Sequence, residues 1–199
     1  MTSIDPRHTA LLVMDYQSFA LGRLSAADDL LARVADAIAA VRGRGGQIGY
    51  VRVAFSDADY DALPSHSAMA RAIATAGRAL HSDSPATAVH GTVAPEPGDI
   101  TVRKTRVGAF STTDLDQQLR DRGVTTLILA GISTSGVVLS TVRDAADRDY
   151  RVLVLADGCA DPAPGVHDFL TEKIFPRQAD VITIAGLKDL LTAPDAAGS

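Results

Sequence analysis

The chain has 199 residues, 46% of them hydrophobic and 22% charged, with a formal net charge of −5. That is enough apolar material for one sizeable core, and the sequence is read as a single domain over 1–199. No basic block interleaved with aromatics points to nucleic acid, no apolar run is long enough to span a bilayer, and one cysteine excludes an intrachain disulfide framework.

The N-terminus, Met1-Thr2-Ser3-Ile4-Asp5-Pro6-Arg7-His8, lacks the basic-then-apolar layout of a signal peptide, so the cytoplasm is the expected compartment. A strand is predicted at 10–14. A helix follows, because Leu30, Leu31, Val34, Ile38 and Val41 recur at helical spacing. Ser25 followed by Asp28 suggests its capping box, and Gly43, Gly45 and Gly46 end it. A second strand is predicted at 48–54. Residues 56–98 are irregular, apart from a helix near 65–80. Then come a strand at 99–103, a helix over 113–122 closed by Gly123, and a strand at 125–130. A helix begins near Ser135 and carries Val138, Val142 and Ala145 on one face. A strand at 151–156, a helix over 165–175, a strand at 180–184 and a short helix over 187–191 complete the pattern. Residues 192–199 read as a flexible tail.

The strands are continuous apolar runs rather than alternating ones, as expected for strands buried on both faces. Strand and helix in alternation imply parallel pairing with right-handed crossovers. The predicted fold is therefore α/β: a three-layer, doubly wound, six-stranded parallel sheet with helices on both faces. Such sheets bind ligands outside the carboxyl ends of their strands, where the strand order reverses.

Three features fall at those ends. Asp15 closes the first strand, Lys104 follows the third, and the loop Gly131-Ile132-Ser133-Thr134-Ser135-Gly136 follows the fourth. A lone carboxylate could cap a neighbouring loop, and Lys104 could be a solvated member of the basic run Arg103–Arg106. Their shared placement argues for one site, and Arg106 joins its binding candidates. The loop leads into a helix N-terminus, where unpaired N–H groups, two glycines and the hydroxyls of Ser133, Thr134 and Ser135 could cradle a carboxylate or an oxyanion. The plainer alternative is a tight turn with a hydroxyl N-cap. The loop is not a Walker A motif, and no Gly-x-Gly-x-x-Gly follows the first strand.

Other features are weaker. Asp57-Ala58-Asp59-Tyr60-Asp61 begins like a calcium loop, but Ala62 and Ala68 replace the glycine and glutamate that such a loop needs, so it reads as a solvated acidic loop. His8, His66, His81, His90 and His167 show no metal-binding spacing, and no metal or cofactor is expected. Cys159 lies among acids, which disfavours a reactive thiolate, and reads as a small packing residue. Ser133 or Ser135 as a nucleophile would need a partnered base, and none is visible.

The block 131–145, together with Leu11-Leu12-Val13-Met14-Asp15-Tyr16-Gln17 and the stretch from Pro97 to Lys104 continued by Gly108-Ala109-Phe110, resembles the isochorismatase-like (cysteine hydrolase) superfamily over about 9–185. The resemblance implies a triad of aspartate, lysine and cysteine. Asp15 and Lys104 match the first two, and Gly136 stands where most members carry the cysteine. It also implies an oxyanion site at a cis Ile132–Ser133 peptide and the Gly136 N–H, with Gln17 and Phe110 lining the pocket. Phe19 sits one place early relative to the common aromatic, and Gly108 replaces the usual serine. Metal-using relatives carry an Asp-x-His stretch after the second strand, which 55–61 does not match.

True isochorismatases also lack the cysteine and hydrolyse a vinyl ether without a covalent intermediate, their aspartate acting as general acid. The leading expectation is a non-covalent hydrolase of a small anionic molecule using Asp15 and Lys104, on a vinyl ether or a C–N bond. The alternative is a catalytically silent small-molecule binder or an oligomeric scaffold. A homo-oligomer, dimer or tetramer, is expected, with no nucleic-acid or membrane partner.

Overall fold

The computed structural model describes residues 3–192. Its frame is one parallel sheet of six strands, β1 (Thr9–Met14), β2 (Gln47–Val53), β3 (Ile100–Lys104), β4 (Thr126–Ile132), β5 (Arg151–Ala160) and β6 (Asp180–Ile182), in the order β3-β2-β1-β4-β5-β6. Every pairing is parallel. The order reverses between β1 and β4, where Met14 pairs with Gly131. The crevice of a doubly wound sheet lies at that reversal.

The two sheet faces bury separate apolar clusters. One packs β1, β2 and β4 against α2 (Ala27–Arg42) and α8 (Ile184–Thr192), through Leu11, Val34, Val41 and Leu187. The other packs them against α5 (Leu115–Asp121) and α6 (Leu139–Asp147), through Leu12, Leu119, Val142 and Phe175. Strands covered on both faces have no solvent side, which is why β1 and β4 are buried throughout and apolar after their first threonines. A third, smaller cluster of Val53, Phe55, Ile73 and Leu80 lies under α3 (Asp57–Ala62) and α4 (Ala68–Ala76).

Several local expectations are corrected. Ser25 and Asp28 form no capping box: α2 starts from Ala26 without a side-chain cap. The box sits instead at Ser56 and Asp59, each side chain accepting from the other's backbone N–H. The acidic stretch 57–61 is therefore helix, with Asp59 also bound to Arg103 at 2.6 Å. The helix expected from Ser135 opens with a π-turn, Thr134–Val138, before α6. The helix expected over 165–175 is α7 (Val166–Phe169), a π-turn (Leu170–Ile174) and a 3₁₀ turn (Phe175–Arg177). The last helix starts three residues earlier than its spacing suggests, at Ile184, and the expected tail beyond Thr192 lies outside the described residues. Among the described residues no helix is long and apolar enough to cross a membrane.

Candidate active site

At the end of β1 the chain turns sharply. Asp15 still donates its N–H to Val51 O at 2.8 Å, but its φ is +60° and Gln17 N–H returns to Asp15 O. A non-glycine residue in the left-handed region is uncommon, and aspartate tolerates it better than most. Lys104 ends β3, paired with Val53 of β2. Its ammonium meets Asp15 Oδ2 at 2.9 Å and donates to the carbonyls of Arg106 (3.2 Å) and Val107 (3.0 Å). Three acceptors match its three protons.

Both side chains are buried. Asp15 Oδ1 is the one buried side-chain polar atom among the described residues without a hydrogen-bond partner. Burial raises the Asp15 carboxyl above its ordinary value, although Lys104 pulls it down. The result is a carboxyl with one oxygen clamped and the other unpartnered.

A cavity of about 200 Å³ is lined by Asp15, Lys104, Phe19, Ile132, Ser133 and Gly136, among others. The peptide bond between Ile132 and Ser133 is cis. Two glycines shape the loop. A Cβ on Gly131 would stand 2.9 Å from Val138 Cγ2 and 3.2 Å from Met14 Cβ, so the strand crossing requires glycine. A Cβ on Gly136 would meet only Ser133 Oγ, at 2.8 Å.

The other candidates from the sequence lie outside this lining. Gln17 is fully buried, and its amide bonds Val53 N–H, Val53 O and Thr87 O at 2.9, 2.9 and 2.6 Å. It clamps backbone rather than lining the pocket. Phe110 stacks on Tyr150 beneath the Arg148 guanidinium, in the α5/α6 cluster. Arg106 contributes its carbonyl to Lys104, while its guanidinium bonds Thr105 O. Thr134 is fully buried and bonds His167 Nδ1 at 2.9 Å. Ser135 is exposed, and its N–H donates to Asp161 Oδ2 at 2.8 Å. Burial raises the Asp161 carboxyl, but this contact and that from Ala163 outweigh it and hold the group below its ordinary value. The Gly136 N–H expected in the cradle donates to Ser133 O at 3.2 Å, the long end of such bonds.

Cys159 is buried in the α5/α6 cluster, its thiol pushed up to about 12, chiefly by burial. It does not line the cavity. Among the described residues no three His, Cys, Asp or Glu side chains converge to hold a metal.

Sequence reasoning missed Arg23, Met69, Leu80, Val107 and Pro162, which also line the walls. They come from loops and from the irregular stretch 56–98, where no strand-end rule applies. A larger cavity, of about 430 Å³, lies against β2 and β3 between Tyr50, Arg52, Val89 and Thr101. It contains no carboxyl and no buried ion pair, so volume alone does not mark it as the site.

Residues 9–186 match the Isochorismatase domain family. The chain is 35% identical over 182 residues to a ureidoacrylate amidohydrolase of Methylobacterium radiotolerans, covering 81% of this chain and 70% of that protein. Its structure is similar to that of an isochorismatase family protein of Burkholderia thailandensis, with TM-score 0.80 and 28% identity over 96% of this chain and 98% of the other. It is also similar to N-carbamoylsarcosine amidase of Thermoplasma acidophilum, with TM-score 0.70 and 28% identity over 88% and 96% of the two chains. With the match spanning all six strands of the sheet and both Asp15 and Lys104, the chain belongs to the isochorismatase family of hydrolases.

Proposed function

We propose that this protein hydrolyses a C–N bond of a small molecule by direct attack of water, with Asp15 as the proton carrier and Lys104 as its electrostatic partner. The observation that carries the reading is the divided Asp15 carboxyl. Oδ2 is clamped by Lys104, and Oδ1, on a residue lining the cavity, has no partner. A buried acceptor left unpaired costs free energy, and a bound water or substrate proton would satisfy it.

By its sequence resemblance to the family, Gly136 takes the place of the thiol of covalent members. The chain's one cysteine is buried elsewhere, so the attacking group is water. Oδ1 accepts a proton as the water oxygen bonds to the carbonyl carbon. The carbonyl oxygen, now negative, is met by N–H groups where β4 passes into the π-turn, the 3.2 Å bond of Gly136 being the one readily exchanged. Asp15 then returns the proton to the leaving nitrogen as the C–N bond breaks, and ends as it began. The names of the amidohydrolase and amidase relatives support C–N chemistry.

A second reading has its own support. Burial that raises the Asp15 carboxyl favours a protonated form able to act as an acid on an enol ether. The test is a panel of ureido, amide and enol-ether substrates, run with wild type and Asp15→Asn. C–N hydrolysis lost in the variant supports the proposal. Enol-ether turnover alone supports the second reading, and turnover indifferent to Asp15 overturns both. No turnover by wild type on any member would favour a silent binder or scaffold.

A further inference from the structure

We propose that Arg23 is the specificity-determining residue of this cavity and holds the carboxylate of a singly charged substrate. The inference rests on the function proposed above and names its substrate class: a small carboxylate with an apolar body.

Arg23 follows α1 (Ser18–Leu21) and lines the cavity beside Phe19 and Ala20. Arg23 is exposed, and its guanidinium makes no ion pair and no hydrogen bond among the described residues. The cavity's charged lining consists of Asp15, Lys104 and Arg23. Asp15 and Lys104 neutralise each other at 2.9 Å, so the positive charge of Arg23 is left uncompensated.

Lys104 cannot take the anion instead. Its three protons are committed to Asp15, Arg106 O and Val107 O. The unpartnered oxygen of Asp15 would repel a carboxylate placed beside it. The anionic end is thus directed to Arg23 and the reacting bond to Asp15. Most of the remaining lining is apolar, with Phe19, Met69, Leu80 and Val107. A single planar guanidinium suits one carboxylate in bidentate contact.

The experiment pairs carboxylates with their neutral twins: N-carbamoylsarcosine and ureidoacrylate against the corresponding primary carboxamides. Binding is measured by calorimetry on protein that keeps Asp15, so that Lys104 stays paired, with non-hydrolysable analogues of each twin so that it does not depend on turnover. Each carboxylate is expected to bind roughly tenfold or more tightly than its twin, with Arg23→Gln abolishing the difference and Arg23→Lys recovering part of it. In otherwise wild-type protein, Arg23→Gln should raise KM and leave kcat nearly unchanged. A merely structural role would weaken both twins alike. Equal affinity of the twins, a preference that survives Arg23→Gln, or failure of the carboxylates to bind overturns the inference. Charge-selective binding without hydrolysis by wild type would leave Arg23 in place and defeat the hydrolase reading instead.

Discussion

Asp15 and Lys104 meet at 2.9 Å although the strands that carry them are not neighbours. β2 lies between β1 and β3, so the pair spans two strand spacings, roughly 10 Å. The length of the lysine side chain closes that gap, and the backbone turn at Asp15 presents its carboxyl at the strand end. Neither residue can be shortened or neutralised without stranding the other in a buried site.

Asp15→Asn should therefore act twice. Loss of the proton carrier should lower turnover about 10²–10⁴-fold. Loss of the partner charge strands Lys104, which keeps its carbonyl acceptors, while relief of the buried carboxylate offsets part of that cost, so the fold should lose at most about 3 kcal/mol. Denaturant melts and steady-state kinetics on the same preparation check both. A second change, Lys104→Met in the Asp15→Asn protein, should recover part of the stability and none of the activity.

The pH dependence distinguishes the two readings of the carboxyl. Burial holds Asp15 above its ordinary 3.8 in the native state, Lys104 pulling the other way. Between 3.8 and that raised value the native state binds more protons than the unfolded chain. This group's contribution to stability is therefore greatest below 3.8 and falls as pH rises through the window. Subtracting the pH–stability curve of Asp15→Asn from that of wild type should expose this falling slope. In kinetics, a base requires kcat/KM to rise with pH through an inflection above the ordinary carboxylate range. An acid requires it to fall through the same inflection.

The sheet and the Asp15–Lys104 pair were legible in the sequence for one physical reason. Buried parallel strands are written as apolar runs, and their carboxyl ends converge. Roles that depend on where a side chain points were not legible. Gln17 and Phe110 sit near site-bearing strands, yet one is spent on backbone and the other faces the opposite cluster. Arg23 and Met69 follow no strand-end rule and carried no signal. The capping box was misplaced because Ser25-x-x-Asp28 and Ser56-x-x-Asp59 have the same spacing, and only the second forms the reciprocal hydrogen bonds.

Gln17 should prove a structural residue. Gln17→Leu removes the side-chain partners of Val53 N–H and Val53 O and the shorter of two donors to Thr87 O, all buried at the base of the stretch that carries α3 and α4. A loss of about 2–4 kcal/mol is expected, with kcat falling less than in Asp15→Asn. Denaturant unfolding read alongside kcat separates the two roles. A stable but inactive variant would return Gln17 to the pocket-lining role that the sequence resemblance implies.

Cys159 should be silent. Its thiol is buried and held near 12, so the thiolate that would attack iodoacetamide is scarce at neutral pH. Cys159→Ala should preserve turnover, and mass spectrometry should find the native thiol unmodified by reagent that labels the unfolded chain. Loss of activity with the fold intact would reinstate a thiol mechanism.

Gly136 offers the sharpest test of the site. A Cβ there would stand 2.8 Å from Ser133 Oγ and meet no other atom within 4 Å. The obstacle is the end of a short side chain, which one χ1 rotation removes, so Gly136→Ala and Gly136→Cys should fold. Their side chains should project into the cavity that Gly136 lines. There the open space would serve the attacking water, and filling it should lower turnover of the native reaction. A thiol at this position would lie in the same cavity as Lys104 and Asp15, with the start of a helix behind it. Those surroundings favour the thiolate, with Asp15 able to take the proton. The thiol of Gly136→Cys should be alkylated by iodoacetamide faster than Cys159, and a bound carboxylate should slow that reaction. Pairing Gly136→Ala with Ser133→Ala should relieve the close contact without restoring turnover, because the added methyl still occupies the space of the water. Restored turnover would mean that the glycine serves only the fit of Ser133. An inert thiol at 136, unaffected by ligand, would place Gly136 outside the working site and remove the case for a reaction without a covalent intermediate.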